Sequence, residues 1–242
     1  MDELSASIAV SGFAFGRADV MGGLLTSTGS LEDWATFASS WNRLSVDTYM
    51  ADGGRYRRRR YGAFLSSRDR EIVRAPPQPH YQALDYNPLN GGVARWFDPI
   101  EDGPGQSECL RSILTFGATL FQTLAGVETP WHIEVHQFRI EARSGEQGRP
   151  TPEGLHRDGV DYVLVVLVER RNIASGVTAI HALDGRELGH FTLEAPLDTA
   201  LVDDARVAHG VTPVRPIDPT QPAYRDVLVV TYSTPARAGE RE

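Results

Sequence analysis

Hydrophobic positions recur at helical spacing in two stretches of the first half of the chain. Trp34, Phe37, Ala38 and Trp41 fall on one helix face. Ser30, ahead of Leu31-Glu32-Asp33, offers an N-cap with acids in the first turn. From Ser107 to Leu124 the residues Leu110, Ile113, Leu114, Gly117, Ala118 and Phe121 mark a second helix. Between the two, Pro76, Pro77 and Pro79 predict a turn-rich crossing, and Asn87 to Gly92 reads as a loop.

After Trp131 the period shortens to two. His132 to Ile140 alternates, with Ile133, Val135, Gln137 and Arg139 on one parity and His132, Glu134, His136, Phe138 and Ile140 on the other. Asp161 to Glu169 is a nearly continuous apolar strand. Val177 to Leu183 and Glu187 to Leu193 are strands joined through Asp184-Gly185, a strong hairpin signal. Thr199 to Asp203 and Asp226 to Tyr232 complete the set. Many short strands behind a helical front end predict a mainly β fold with N-terminal helices (α+β), its core an antiparallel jelly roll. No linker-like shift in composition divides the chain. One domain over 1–242 is expected, helix-rich to about 130 and jelly-roll from about 131 to 235.

Composition narrows the chemistry. The 24 basic residues are all arginine, so Schiff-base, catalytic-lysine and Walker-type lysine mechanisms drop out. The formal net charge of −8 argues against a protein whose main task is holding nucleic acid or an anionic membrane surface. Cys109 is the single cysteine, which precludes an intramolecular disulfide and a cysteine-based zinc knuckle, and reads as a small buried apolar residue. Met1-Asp2-Glu3 has the wrong charge for a signal peptide, and the longest apolar run, Tyr162 to Val168, is too short to span a bilayer. A soluble, cytoplasmic protein is the expectation.

No Gly-x-Ser-x-Gly elbow, His-Glu-x-x-His, dinucleotide fingerprint or EF-hand loop is present. The tightest metal-ligand spacing is His156-Arg157-Asp158, where residues two apart in an extended segment share a face. It lies between the Gly- and Pro-rich stretch Ser144 to Gly154 and the apolar strand, at the mouth of a sheet. A plain loop turn is the alternative for this pair alone. A third ligand, His209, follows a later strand that an antiparallel barrel can bring back beside the pair. Arg225 opens the last strand, where a buried guanidinium would require a carboxylate partner.

Glu153-Gly154-Leu155-His156-Arg157-Asp158-Gly159, Asp203 to Val214 and Arg225-Asp226-Val227-Leu228-Val229 together resemble the iron(II)- and 2-oxoglutarate-dependent dioxygenases. Within them the chain looks most like the small bacterial group that contains the free L-isoleucine hydroxylase. The likeness covers most of Trp131 to Tyr232 and, more loosely, Arg55 to Phe97. It implies a double-stranded β-helix, cupin-like core. It also implies an iron centre formed by His156, Asp158 and His209, in keeping with two imidazoles and one carboxylate leaving open positions on a metal. The cosubstrates implied are 2-oxoglutarate and dioxygen, with ascorbate helpful, and the products succinate, carbon dioxide and a hydroxylated small substrate. That substrate is expected to be a free L-amino acid or close derivative. Arg225 would hold the far carboxylate of 2-oxoglutarate, with Arg215 as its rival.

Arg95, in the loop with Asn87, Gly91 and Gly92, is a candidate clamp for a substrate carboxylate. His136 and Gln137 have opposite parity, so one of them faces the pocket, and Gln137 is taken as the substrate contact. The run Arg57 to Arg60 alternates its arginines between two faces, which dilutes any nucleic-acid patch. His181 and His190 read as ordinary hairpin residues. A cupin-like metal-binding or stress-response protein without oxygenase turnover is the alternative.

Overall fold

The computed structural model describes residues 1–67, 71–87, 89, 91–126 and 128–239. Pro88 and Asn90, in the loop expected from Asn87 to Gly92, lie outside the described residues. The strands in chain order are β1 (Phe13–Gly16), β2 (Ser45–Val46), β3 (Arg57–Ser66), β4 (Ile72–Arg74), β5 (His132–Ala142), β6 (Tyr162–Arg171) and β7 (Ile173–Ser175). They continue with β8 (Val177–Ala182), β9 (Glu187–Thr192), β10 (Thr199–Asp203), β11 (Val207–Val211), β12 (Val214–Pro216) and β13 (Ala223–Ser233). The fold is mainly β with helices.

The main sheet runs β1-β10-β6-β13-β5-β3-β2, with β4 beside β3, and every pairing is antiparallel. A smaller antiparallel sheet, β11-β8-β9, faces it across a cavity, and β12 pairs with β7. The β8–β9 hairpin turns through Asp184-Gly185, where Gly185 adopts a φ of 90°. The first 130 residues are less helical than their pattern suggested, because β1 to β4 join the main sheet. β3 escapes an apolar/polar reading because its alternation is arginine against arginine: Arg57 and Arg59 line the cavity, while Arg58 turns away to Glu141 at 2.6 Å.

The outer face of the main sheet packs against helices. The Glu108–Ala125 helix starts on Ser107, whose Oγ accepts from the Leu110 N–H at 3.3 Å, and ends at Gly126 with φ 67°. Its buried Ile113, Leu114 and Phe121 meet Val135, Val230 and Tyr232 in the largest apolar cluster. Gly117 is required here: a Cβ on it would lie 2.3 Å from the Tyr232 hydroxyl, which donates to the Leu114 carbonyl. The other expected helix is short, Trp34–Ser39, and continues as a 3-10 turn over Ser40–Arg43. Ser30 does not cap it; its Oγ accepts from the Glu32 N–H instead. Asp33 is recruited elsewhere, accepting from the Glu108 and Cys109 N–H groups at the start of the long helix. Among the described residues, no helix is long and apolar enough to cross a membrane.

Candidate metal centre and its cavity

The cavity between the two sheets, of about 140 Å³, is lined by the inward parity of β5, β13 and β10 on one side and by β8 and β11 on the other. His156 is tied to the edge of β11 by a two-way backbone bridge with His209, both N–H···O distances being 2.9 Å. That bridge sets the two imidazoles side by side, with ring centroids 4.6 Å apart. Asp158, two residues on, approaches both: Oδ1 is 3.5 Å from His156 Nε2 and Oδ2 is 3.6 Å from His209 Nε2. Three donor atoms thus lie within 4.8 Å of one another. The Gly154 carbonyl only accepts, so His156 Nδ1, at 3.1 Å, carries a proton there and leaves Nε2 as the nitrogen that would take an ion once its own proton is displaced.

Burial works against charge on His156, but the hydrogen bond and charge of Asp158, with Glu153 behind them, raise its pKa to about 9. Burial and then the charge on His156 push His209 down to about 4. The bare site therefore keeps its proton on one imidazole, beside the carboxylate that an ion would share.

Asp204 holds this arrangement from below. It is 1% exposed and accepts from three successive N–H groups, those of Asp158 (2.9 Å), Gly159 (2.7 Å) and Val160 (3.1 Å). Its own pKa rises to about 7, through burial and then the nearby Asp158 charge. Gly159 takes a φ of 79°, and a Cβ there would strike the Tyr86 ring at 2.5 Å. On the opposite side, Gln82 Nε2 donates to the Asp158 carbonyl at 3.2 Å and its Oε1 accepts from Asn87.

Arg225 also lines the cavity. It is 3% exposed, and its Nε and one terminal nitrogen have no hydrogen-bond partner among the described residues. Desolvation, followed by the charge of Arg170, lowers its pKa to about 10. Its neighbour Asp226 faces the other way and takes Arg139 in two hydrogen bonds of 2.8 and 2.7 Å. Arg225 is thus a buried cation on the cavity wall with no ion pair among the described residues, which fits a ligand carboxylate. Arg215 is exposed on β12 and does not line the cavity.

A second group of the same composition, His80, Glu134 and His136, is also buried on the cavity wall. Here one donor atom of each residue is engaged. Glu134 Oε1 accepts from the Tyr61 hydroxyl at 2.7 Å and from His80 Nδ1 at 3.1 Å. Arg59 donates to His136 Nδ1, and burial followed by that guanidinium holds the His136 pKa well below the usual value. Arg59 lies 3.6 Å over Phe97 and 4.5 Å over Phe138, while Arg57 pairs with buried Asp47 at 2.7 Å.

Arg95 lies on the cavity wall as expected, brought there by a backbone bridge to His80. The expectation for Gln137 is corrected. Its parity is the outward one: it is 1% exposed, and its amide donates to Ser40 in the helical layer at 2.8 Å. His136 takes the cavity side. Sequence reasoning did not single out Glu153, Asp204, His80 or Glu134. Only Glu134 had a signal, since it shares the parity of His136, Phe138 and Ile140.

The 2OG-Fe dioxygenase family model matches residues 38–231. The chain is 30% identical over 184 residues to the L-isoleucine-4-hydroxylase of Bacillus thuringiensis, covering 74% of this chain and 76% of that protein. It is 24% identical over 206 residues to the 3(1)-hydroxy-L-isoleucine 4-dioxygenase of Pantoea ananatis, covering 84% and 81%. Among solved structures, a bsmA homologue from Methylobium petroleophilum PM1 superposes with a TM-score of 0.88 at 34% identity, covering 97% of this chain and 93% of that one.

Proposed function

The chain belongs to the 2OG-Fe dioxygenase family, and from that premise we propose that it hydroxylates a free L-amino acid or close derivative, releasing succinate and carbon dioxide. The family uses iron(II), 2-oxoglutarate and dioxygen, which together supply the oxidation of an unactivated C–H bond. The observation that carries the reading is a single cavity holding both an open two-histidine, one-carboxylate donor set and a buried guanidinium without an anion. His156, Asp158 and His209 would hold the iron, the donor set associated with non-haem iron oxygenases. Arg225 would hold the far carboxylate of 2-oxoglutarate, and Arg95 the carboxylate of the substrate.

The two facing sheets act as the double-stranded β-helix core of one dioxygenase domain, with the helices packed outside it. Val165, Val202, Val227 and Val229 line the cavity between the charged groups and keep water from the reacting carbon. The named relatives act on isoleucine or hydroxyisoleucine, which supports an amino acid as the substrate class. Family membership favours turnover over a metal-binding protein without oxygenase activity.

The test is succinate release by purified protein given iron(II), ascorbate and 2-oxoglutarate, screened across the twenty amino acids and their N-acyl forms. At least one free amino acid should stimulate release well above the background without substrate. A full panel with no stimulation would remove the amino-acid reading.

A further inference from the structure

Glu153 stands at the edge of the donor set, and no arginine among the described residues pairs with it. Its side chain is 10% exposed, and Oε2 has no hydrogen-bond partner among the described residues. His156 Nε2 lies 3.6 Å from its Oε1. Glu153 does not belong to the group of donors within 4.8 Å of one another, so it sits beside the triad rather than in it. Arg95 presents the opposite case on the same cavity. It is 3% exposed, and its guanidinium makes no hydrogen bond or ion pair among the described residues.

Each of these charges is costly to bury alone. Both line the same cavity, and no ion pair joins them. Arg57, by contrast, has its anion in Asp47 at 2.7 Å. A cavity that keeps a cation without an anion and a carboxylate whose ion-pair neighbour is the ligand imidazole of His156 suits a guest that carries both signs a few bonds apart. An α-amino acid is such a guest, with its carboxylate and its ammonium on one carbon.

We propose that Glu153 receives the α-ammonium of the substrate while Arg95 receives its carboxylate, so that Glu153 makes the enzyme selective for a free amine. This rests on the amino-acid reading given above. A fourth protein ligand to the metal is the competing role for Glu153, and it would occupy a position that the cosubstrates need.

The test uses the best amino acid from the screen, its 2-hydroxy acid and its N-acetyl form, all with the same side chain. The wild-type protein should prefer the free amino acid by about 100-fold in kcat/KM, as expected of a buried charge that would be left unpaired. Glu153→Gln should lower kcat/KM for the amino acid by about 100-fold and change that for the 2-hydroxy acid by less than about threefold, so that the preference collapses. Anaerobic binding of iron(II) and 2-oxoglutarate, followed by the absorbance of the complex, should persist in this variant. Equal use of amino acid and 2-hydroxy acid by the wild type would overturn the assignment even if the variant cannot be made. So would a variant that keeps the wild-type preference, or one that loses iron binding. If the wild type turns over no amino acid at all, the functional reading itself fails, and this assignment with it.

Discussion

Two clusters of identical composition, each two histidines and one carboxylate, lie on the wall of one cavity and differ in what surrounds them. In His80–Glu134–His136, the Tyr61 hydroxyl and the His80 ring share Glu134 Oε1, and the Arg59 guanidinium holds His136 Nδ1. Arg59 adds a fixed positive charge where a cation would have to sit, and burial keeps both histidines neutral. In His156–Asp158–His209, the short hydrogen bonds from outside the set go to the backbone and to Nδ1 of His156, Gln82 reaches Asp158 Oδ1 only at 3.5 Å, and both Nε2 atoms lie beside the carboxylate. Ligand types within reach of one another do not make a metal site. The partners of those ligands decide whether a lone pair is still available.

The largest expected effect tests that contrast directly. His156→Ala or His209→Ala should weaken iron(II) binding by more than about 100-fold and abolish turnover, with the fold intact by circular dichroism. His136→Ala should leave one iron per chain in the same anaerobic titration. A second equivalent of tightly bound iron in the wild-type protein would break the distinction between the clusters.

Next in size is the unpaired guanidinium. Arg225→Ala should raise the 2-oxoglutarate concentration needed for half-maximal turnover by about 30-fold or more, since removing one partner of a buried charge pair costs about 2–5 kcal/mol. Iron binding should persist. A larger effect from exposed Arg215→Ala would overturn the assignment of the anchor.

Asp204→Asn should follow, weakening iron(II) about 10- to 100-fold. The amide places an NH2 group against three backbone donors that now share a carboxylate, and it loosens the turn behind Asp158. An unchanged iron affinity would show that the turn holds its shape without that anion. The smallest effect belongs to Gln137→Leu, which lies behind the sheet. It should change KM for the amino acid by less than about twofold and cost about 1 kcal/mol of stability in a urea titration, the net worth of its bond to Ser40.

Much of the site was legible in the chain. The His-x-Asp pair, the later His209 and the arginine opening β13 could be picked out because an extended segment repeats every two residues and a metal needs those donor types. The same period separated Arg57 and Arg59 from Arg58 and Arg60, and His136 from Gln137. Period alone sets which residues share a face. It cannot say which face meets the helices and which the cavity, because that depends on elements far away in sequence. Gln137 was assigned to the wrong side of β5 for this reason: Ser40, which receives its hydrogen bond, belongs to a turn almost a hundred residues earlier.

Spacing and residue type by themselves thus marked His156, Asp158 and His209 as candidate donors and determined the strand-rich second half and the long helix from Glu108 to Ala125. Tertiary structure alone decided that Asp204 reaches back to grip the turn after Asp158, and that Asp33 caps the long helix rather than its own. It alone also left Glu153 Oε2 and Arg95 Nε buried with no hydrogen-bond partner among the described residues. The reason is the same in each case. A polar side chain takes its role from the partner it meets or lacks on burial, and that partner is brought to it by the packing of sheets and helices, not by its neighbours along the chain.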